Sequence, residues 1–297
     1  MELSRKSVLI TGCTPGSIGF ALATEFQARG FYVIATVRNA DLFDEFDRHG
    51  ITALQLDVDN ASSIATCREK VGQMTQGKLD ILVNNAGRGL VTPAIDTVID
   101  DARAVFETNL FGVMAMVQSF VDLLIPAHGL IINVSSVSAL VPYVFGSVYS
   151  ASKAALAAYS RTLRQELRPF GVRVQVLMAG TVQSNMGSSV RGDLPPDSLY
   201  EPVRHLYLAR RGFSQKASSR PMPTADFARE VVDSALRPEV HPLWRFWGLG
   251  RPDWMYYGGM AQLLYWGSVV GEWMLDLGAW RMFGLSELER MVQKKNQ

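Results

Sequence analysis

Short apolar runs alternate along the chain with longer segments whose apolar residues recur at helical spacing. The runs predict strands and the longer segments predict helices. Strands are expected at 7–11, 31–36, 52–57, 79–84, 129–135 and 172–178. Helices are expected at 18–29, 60–75, 100–125, 149–169 and 224–236. This order predicts an α/β fold built on a doubly wound parallel sheet, with helices covering both faces.

A glycine-rich turn joins the first predicted strand to the first predicted helix. The strand Ser7-Val-Leu-Ile-Thr-Gly12 leads into Cys13-Thr-Pro-Gly-Ser-Ile-Gly19, after which the helical pattern begins. Backbone N–H groups at such a turn and at the helix N-terminus bind the phosphates of a dinucleotide. The sequence therefore predicts a Rossmann fold in three layers, α/β/α.

A tyrosine and a lysine stand four residues apart in Tyr149-Ser-Ala-Ser-Lys153, within a predicted helix. Residues at this spacing share one helix face, so both side chains can point into one cleft. An ammonium near a phenol favours the phenolate and lowers the pKa of the tyrosine. We therefore expect Tyr149 to exchange a proton near neutral pH. The spacing alone is common on helix surfaces, so other residues must support this interpretation.

Two further features supply that support. The strand Leu130-Ile-Ile-Asn-Val-Ser-Ser136 ends in a hydroxyl, and Asn109 falls within a long helical segment. With these motifs, about residues 5–240 resemble the short-chain dehydrogenase/reductase family. The resemblance implies a nicotinamide cofactor and a catalytic tetrad of Asn109, Ser136, Tyr149 and Lys153. The alternative for Ser136 and Asn109 is that they only cap strand and helix ends.

The end of the second strand predicts the choice of cofactor. A carboxylate there binds the ribose hydroxyl of NAD, whereas an arginine accommodates the additional phosphate of NADP. Val37 occupies the acidic position and Arg38 follows it, which favours NADP(H). The family pattern implies the following cofactor-binding residues: Gly12, Thr14, Ser17, Ile18, Gly19, Arg38, Asp57, Val58, Asn85, Gly87, Tyr149, Lys153, Val182 and Ser184.

The glycine turn departs from the usual family spacing, because it is one residue longer and Ser17 stands where a glycine is often found. Either Ser17 needs a positive φ and is strained, or its hydroxyl contacts a phosphate. After the sixth strand, Ala179-Gly180 replaces the Pro-Gly of the family, and Ser184 replaces a later threonine.

Composition excludes several other classes of protein. The 297 residues carry a net charge of +1 with interspersed signs, so we expect no nucleic-acid partner. The 2 cysteines imply no disulfide framework, and the 4 histidines lack ligand spacing, so no metal site is expected. The N-terminus has no apolar run typical of a signal peptide. These features predict a cytoplasmic protein, either free or peripheral on the endoplasmic reticulum or lipid droplets.

We divide the chain into a Rossmann domain over 1–240 and a hydrophobic C-terminal extension over 241–297 that packs on the same domain. Residues 187–222 are rich in Pro, Ser, Gly and Arg, and in the family this position is the substrate lid. The alternative is an ordinary surface loop. No formally charged residue occurs from Trp254 to Gly271. This aromatic segment is expected to line a tunnel for a hydrophobic substrate or to pack on the core, or else to lie on a membrane surface.

Within the family, the Phe145–Leu156 block and the hydrophobic tail most resemble fungal NADPH-dependent 1-acyl-dihydroxyacetone-phosphate reductases. We therefore expect reduction of a ketone to a secondary alcohol with Tyr149 as proton donor. The substrate is either an acyl-dihydroxyacetone phosphate or a fungal specialised metabolite. The alternatives are alcohol oxidation with NADP and a non-catalytic NADP(H)-binding redox sensor.

The resemblance also implies a homodimer or homotetramer built on the two longest helices. These helices carry apolar residues that we expect to divide between the core and the interface: Val113, Met116, Phe120, Leu156, Leu163 and Leu167.

Overall fold

The computed structural model describes residues 5–185, 192–240, 242–245, 247 and 249–295. A parallel sheet of seven strands forms its centre, in the order β3-β2-β1-β4-β5-β6-β9. The strands are β1 Ser7–Ile10, β2 Tyr32–Val37, β3 Thr52–Gln55, β4 Ile81–Asn84, β5 Leu130–Ser136, β6 Arg173–Ala179 and β9 Trp254–Tyr257. A separate two-stranded ribbon joins β7 Val182–Gln183 to β8 Met222–Pro223.

Helices cover both faces of the sheet, as the sequence predicts. The first part of the chain contributes α1 Ile18–Ala28, α2 Phe43–Asp47, α3 Ala61–Met74, α4 Ile99–Phe106, α5 Gly112–Leu124 and α6 Ser147–Leu167. Later helices span Arg204–Arg211, Thr224–Leu236, Pro242–Arg245, Ala261–Val270, Glu272–Met282 and Leu285–Lys295. Apolar residues of α1 and Thr224–Leu236 pack on one face of the sheet, and those of α3, α5 and α6 pack on the other.

The first strand shows why its sequence is apolar throughout. Val8 and Ile10 belong to the core on the α1 side, and Leu9 belongs to the core on the α5 side. Alternate residues of a strand face opposite sides of the sheet, so a strand covered on both faces needs apolar residues at successive positions. The predicted doubly wound α/β fold is confirmed.

The predicted helix over 100–125 is interrupted by a turn of π-helix at Glu107–Phe111. This wider turn stands between α4 and α5, and it contains Asn109. π-Turns inside helices occur frequently at functional sites. Helical periodicity does not reveal the insertion, because a single wide turn barely changes the apolar spacing on either side of it.

The expected boundary at residue 240 does not mark the end of the sheet. The strand β9 lies in the C-terminal extension and pairs in parallel with β6, from Val176 opposite Trp254 to Ala179 opposite Tyr257. Met255 of β9 is buried in the core, and the hydroxyls of Ser234 and Tyr257 share a hydrogen bond of 2.6 Å. The extension is therefore part of the central sheet as well as a cover on it.

The six apolar residues expected to divide between the core and an oligomer interface pack against the sheet of this subunit. Five of the six are buried between the sheet and its helices, and the sixth packs against the same core: Val113, Met116, Phe120, Leu156 and Leu163, with Leu167 partly buried. The sheet takes the apolar face of both helices, so these five residues belong to the core; an oligomer interface built on the two helices stays a prediction.

One helical stretch among the described residues, Ile99–Ala127, is long and apolar enough to cross a membrane by length and composition. It comprises α4, the π-turn, α5 and a short helical turn after α5. Met116, Phe120 and Leu124 of this stretch are buried against the sheet. Core helices of α/β proteins often have such a composition, and this packing identifies the stretch as one of them.

Candidate active site

A cavity of about 840 Å³ opens at the carboxyl ends of the parallel strands. Residues that follow β1, β2, β3, β4, β5 and β6 line it, together with residues of the segment expected to be the substrate lid and of the C-terminal extension. Ligands of open α/β sheets bind at this edge. The cavity therefore lies where the sequence predicts the nucleotide.

The glycine turn after β1 is closely packed. Gly12 has a φ of 72°, and a Cβ atom there would lie 2.8 Å from the Cα of Ala86. A Cβ atom on Gly19 would lie 2.5 Å from Nδ2 of Asn85 and 2.5 Å from the carbonyl oxygen of Gly12. Only glycine fits at these two positions. Because the glycines carry no side chain, the backbone of the turn is accessible from the cavity, and phosphate binding requires such access.

Ser17 caps the first helix and is not strained. Its φ is −89°, so of the two alternatives for Ser17 the strained one with a positive φ is wrong. The Ser17 hydroxyl accepts a hydrogen bond of 3.1 Å from the N–H of Phe20 and donates one of 3.2 Å to the carbonyl of Gly12. This satisfies one of the free N–H groups at the start of α1 and fixes the shape of the turn. The extra residue of the turn is thus accommodated by an ordinary N-cap.

Asn85 holds the same turn from the neighbouring strand. Its Nδ2 atom donates to the carbonyl oxygens of Thr11 at 2.8 Å and Gly12 at 3.0 Å. Asn85 and Gly87 line the cavity, as do Thr14, Ser17 and Ile18 in the turn, whereas Gly19 lies beneath the turn and packs against Asn85. Gly19 therefore brings helix and strand together, and its contact with the cofactor, which the family pattern implies, stays a prediction.

The residues expected to select the cofactor lie at one end of the cavity. Arg38 is exposed after β2, and Asp57 and Val58 follow β3; all three line the wall. Val37 is buried, and no acidic side chain stands at its position. A guanidinium at this edge suits a phosphate dianion. The residues of this end therefore fit a phosphorylated adenosine.

Val182 and Ser184 line the opposite side of the cavity, beyond β6. Thr181, which the motif analysis does not identify, lines it with them. The Nδ2 atom of Asn185 donates a hydrogen bond of 2.9 Å to the carbonyl of Pro15, which ties this segment to the glycine turn. The two sides of the nucleotide site are thus connected directly.

Tyr149 and Lys153 both point into the cavity from α6. The Lys153 Nζ atom lies 5.9 Å from the centre of the Tyr149 ring and donates a hydrogen bond of 2.8 Å to the carbonyl of Val134. Lys153 is buried, and Tyr149 is half-buried. Burial lowers the pKa of Lys153 to about 8, because it disfavours the ammonium.

The pKa of Tyr149 is raised, whereas the sequence predicts that it is lowered. Burial raises the pKa of Tyr149, the neighbouring Tyr143 raises it further, and a hydrogen bond from Ser136 opposes them. The expected lowering by Lys153 is therefore not found in the free protein. The physical reason is that a buried phenolate loses more solvation than this lysine returns. Tyr149 holds its proton at neutral pH.

Ser136 and Asn109 have different positions relative to the cavity. Ser136 lines it at the end of β5, and its hydroxyl also accepts from the N–H of Ser138 at 3.1 Å. Asn109 is fully buried behind the wall, where its Oδ1 accepts from the N–H of Arg88 at 2.8 Å and its Nδ2 donates to Ser152 at 3.0 Å. Asn109 therefore supports the wall beside Gly87 and does not face the open cavity.

The remaining wall is apolar and comes from three parts of the chain. The loop after β5 contributes Val141, Pro142 and Tyr143, and the described part of the lid contributes Phe213. The extension contributes Met260, Leu263, Leu264, Met274, Leu275, Gly278, Ala279, Met282 and Phe283. This agrees with the expectation that the aromatic segment from Trp254 to Gly271 lines a tunnel for a hydrophobic substrate, and the wall continues to Phe283. Residues 187–191 of the expected lid lie outside the described residues.

Charged residues are confined to the other end of the cavity and to the tetrad. Among the described residues that line it, the charged ones are Arg38, Asp57, Asp59, Arg88 and Lys153. The cavity thus has a polar nucleotide end and an apolar end, and Ser136 and Tyr149 stand between them. No local motif marks Tyr143 and Phe213, so the sequence alone does not identify them as residues of the cavity wall.

Comparison with known proteins agrees with this geometry. Residues 6–195 match the family model described as short chain dehydrogenase. The short-chain dehydrogenase fogD of Aspergillus ruber is 37% identical over 298 residues, covering 99% of this chain and 98% of that protein. The NADPH-dependent 1-acyldihydroxyacetone phosphate reductase of Schizosaccharomyces pombe is 43% identical over 218 residues, 72% of this chain and 74% of that protein.

Solved structures show the same architecture. A short-chain dehydrogenase from Streptomyces avermitilis superimposes with a TM-score of 0.74 at 26% identity, covering 96% of this chain and 98% of that one. A short chain dehydrogenase from Burkholderia cenocepacia, solved in complex with NADP, shares the fold with a TM-score of 0.66 at 24% identity, covering 91% and 94%. The chain belongs to the short-chain dehydrogenase family and is an oxidoreductase that acts on CH–OH or C=O groups.

Proposed function

We propose that this oxidoreductase uses NADPH to reduce a ketone on a hydrophobic molecule to a secondary alcohol. The observation that carries the proposal is the position of Ser136 and Tyr149. Their hydroxyls stand where the polar end of the cavity meets its apolar end. A ketone held there has its oxygen at two hydroxyls and its carbon skeleton on an apolar wall.

The cofactor is NADP(H), which supplies the hydride when bound. The backbone around Gly12 and the N-terminus of α1 would hold its diphosphate. Arg38 would bind the additional phosphate, and Asp57 and Val58 would face the adenine. Val182 and Ser184 would contact the carboxamide through backbone and hydroxyl groups. The support is the glycine turn before α1, whose residues line the cavity and whose packing leaves no room for a Cβ atom at Gly12 or Gly19.

The proton comes from Tyr149. Burial keeps its hydroxyl protonated, so it can donate a hydrogen bond to the ketone oxygen from the start. An alkoxide is more basic than a phenolate, and the proton therefore moves once negative charge develops on that oxygen. Ser136 donates a second hydrogen bond to the same oxygen, which stabilises the developing charge.

Lys153 would assist the proton transfer from Tyr149. Its ammonium would hold the ribose hydroxyls of the cofactor and favour the phenolate left after proton transfer. Through its backbone, Asn109 would position a water that links Lys153 to solvent, because both polar atoms of its side chain are hydrogen-bonded to Arg88 and Ser152. Asn109 and Lys153 both approach Gly87, since a Cβ atom there would lie 3.3 Å from Oδ1 and 3.5 Å from Nζ.

The same observations favour reduction over the two alternatives. The reaction is reversible, and a pool of NADP(H) kept largely reduced favours ketone to alcohol, for which the protonated Tyr149 of the free protein is ready as proton donor. A redox sensor that binds NADP(H) without turnover needs no paired hydroxyls facing an apolar wall. Ser136 and Tyr149 supply them, so catalysis explains more of the site.

The test is a panel of ketones offered with NADPH, followed by the loss of NADPH absorbance. The panel contains an acyl-dihydroxyacetone phosphate, polycyclic polyketide ketones and small cyclic ketones. Turnover of the phosphate ester assigns the enzyme to glycerolipid precursors, and turnover of the polycyclic ketones assigns it to specialised metabolism. No NADPH consumption with any ketone, while NADPH binds, would favour the sensor.

We also propose that the C-terminal extension lies on a membrane surface. Trp266, Trp273 and Trp280 are 61%, 67% and 40% exposed on two neighbouring helices. These helices have 10 and 11 residues, too few to span a bilayer. Leu263, Met274 and Met282 are exposed and also line the cavity, so the apolar surface continues into the site.

Tryptophan favours the interface between lipid and water, which supports this placement. Flotation with phosphatidylcholine vesicles tests it. The chain should float with the vesicles, and a variant with Trp266, Trp273 and Trp280 changed to serine should not. Equal flotation of both proteins, or no flotation of either, would contradict membrane contact.

A further inference from the structure

Arg210 is a buried cation beside the apolar end of the cavity. It lies on the helix Arg204–Arg211 and is only 2% exposed. Its guanidinium carbon lies 3.5 Å from the ring centre of Tyr143, 5.0 Å from that of Phe283 and 5.7 Å from that of Phe213. Three aromatic rings thus surround one positive charge.

Few polar groups compensate this charge. Its Nε atom donates a hydrogen bond of 3.0 Å to the carbonyl of Val144, and its Nη2 atom is buried without a hydrogen-bond partner. No carboxylate within salt-bridge distance of Arg210 occurs among the residues that the structure describes. Burying an arginine without a carboxylate costs free energy, and the faces of aromatic rings offset part of that cost.

The three rings come from different parts of the chain, and each lines the cavity. Tyr143 belongs to the loop after β5, and its ring centre lies 6.0 Å from that of Tyr149. Phe213 follows the lid helix, and Phe283 follows the helix Glu272–Met282; these two rings pack edge to face at 5.5 Å. Arg210 therefore contacts three segments at once: the loop after β5, the segment that follows the helix Arg204–Arg211, and the C-terminal extension.

Tyr143 is held from both sides. A Cβ atom on Gly146 would lie 2.2 Å from Cδ1 of Tyr143, so the ring packs directly on the backbone before α6. Arg210 stacks at 3.5 Å from the ring centre. The backbone at Gly146 and the guanidinium of Arg210 thus both pack on the Tyr143 ring, which stands beside Tyr149. A planar, weakly hydrated guanidinium stacks well on aromatic faces, and a lysine does not.

We propose that Arg210 is a positioning residue that holds Tyr143, Phe213 and Phe283 as one wall and so fixes a large apolar ketone against Tyr149. The proposal rests on the proposed ketone reduction. Without the charge the three segments separate, and the ketone carbon loses its orientation toward the hydride. Misplacement by a fraction of an ångström lowers the rate of such a step.

Arg210→Met tests this role, because methionine keeps the length and apolar stem of arginine but removes the charge and the planar face. We expect kcat/KM for a polycyclic ketone to fall by about tenfold to a hundredfold. The value for a small cyclic ketone and the Kd of NADPH should stay within about twofold of wild type, since neither depends on the ring wall. Arg210→Lys should recover little of the loss, because the planar contact is missing.

Arg161→Met is the matched control. Arg161 lies 5.3 Å from the ring of Trp254, outside the cavity, so this variant also removes a cation from an aromatic face. Its kinetics should equal those of wild type on every ketone. Equal losses on large and small ketones in Arg210→Met, or equal losses in both variants, would overturn the proposal.

Hydrogen exchange gives a readout that needs no turnover. Without cofactor or ketone, amides in 140–146 and 279–284 should exchange faster in Arg210→Met than in wild type, while those of α1 and α5 stay unchanged. Unchanged exchange in both segments would overturn the proposal even if the wild type reduces no ketone. If Arg210→Met does not fold, Phe283→Leu removes one ring of the wall and should show the same selective loss on large ketones.

Discussion

The Nζ atom of Lys153 lies 5.9 Å from the ring centre of Tyr149, and burial shifts the pKa values of the two groups toward their neutral forms. The phenol stays protonated at neutral pH, and the lysine becomes easier to deprotonate. A proton donor is thus ready before a carbonyl arrives. The cost of charging either group is offset only when a ligand supplies a partner for it.

Removal of the Tyr149 hydroxyl should abolish reduction and leave cofactor binding intact. In Tyr149→Phe we expect kcat to fall by about a hundredfold to ten-thousandfold, the usual range for loss of a general acid. The Kd of NADPH, measured by its fluorescence, should change little. Turnover near that of wild type would refute the role of Tyr149.

The pKa of Lys153 predicts how stability depends on pH. Burial lowers it from 10.5 to about 8, so between these values the unfolded chain binds more protons than the folded one. The free energy of unfolding contributed by this group therefore rises with pH through that window. Chemical denaturation at pH 7.5 and 10 should show this rise in wild type, relative to Lys153→Met. A difference that falls with rising pH would contradict the assigned burial.

Arg38→Asp should shift the preference from NADPH toward NADH. The variant loses a charge-assisted contact with the phosphate and adds repulsion against it. The ratio of kcat/KM for the two cofactors should change by at least about tenfold. Arg48→Asp is the control, because Arg48 is an exposed arginine whose side chain pairs with Glu45 and does not line the cavity. An unchanged ratio in Arg38→Asp would make Arg38 an ordinary surface residue.

Gly19→Ala should weaken NADPH binding and lower the Tm. The added methyl group would stand 2.5 Å from both Nδ2 of Asn85 and the carbonyl oxygen of Gly12, so the turn must move. Gly212→Ala adds the same group where no atom lies within 4 Å, and it should bind NADPH as wild type does. Equal affinities in the two variants would show that the packing under the turn does not matter for binding.

Truncation separates the two structural roles of the extension. A chain that ends after Met260 keeps β9 and should bind NADPH but lose activity on large ketones, because its apolar wall is missing. A chain that ends after Pro238 loses β9 as well, so we expect it to be less stable. Circular dichroism melting and NADPH titration distinguish the two outcomes. Identical melting of both truncated chains would argue against a structural role of β9.

The parts of the molecule that could be predicted from sequence are those with local signals. The strands of the nucleotide half, the turn at Gly12 and the pair Tyr149 and Lys153 each lie within a few consecutive residues, and their patterns are strong. The sequence allows two conformations for Ser17, one strained and one with its hydroxyl on a phosphate, and does not choose between them. The capping of α1 by Ser17 depends on which hydrogen bonds the longer turn makes.

Other features depend on residues far apart in the chain. The strand β9 has only four residues, and its pairing with β6 joins positions such as Val176 and Trp254. The cluster around Arg210 joins three segments, none of which carries a motif. The pKa shifts of Tyr149 and Lys153 also require the structure, because spacing predicts their proximity but not the desolvation that outweighs it.

The pairing of β9 with β6 has a consequence for how this protein melts. The last residue of β6, Ala179, lies opposite Tyr257, and the segment that follows β6 supplies Val182 and Ser184 to the nucleotide site. Loss of β9 would leave β6 as an exposed sheet edge beside that segment. The tail and the nucleotide half should therefore unfold as one cooperative unit, and a ligand bound at either end of the cavity should stabilise both.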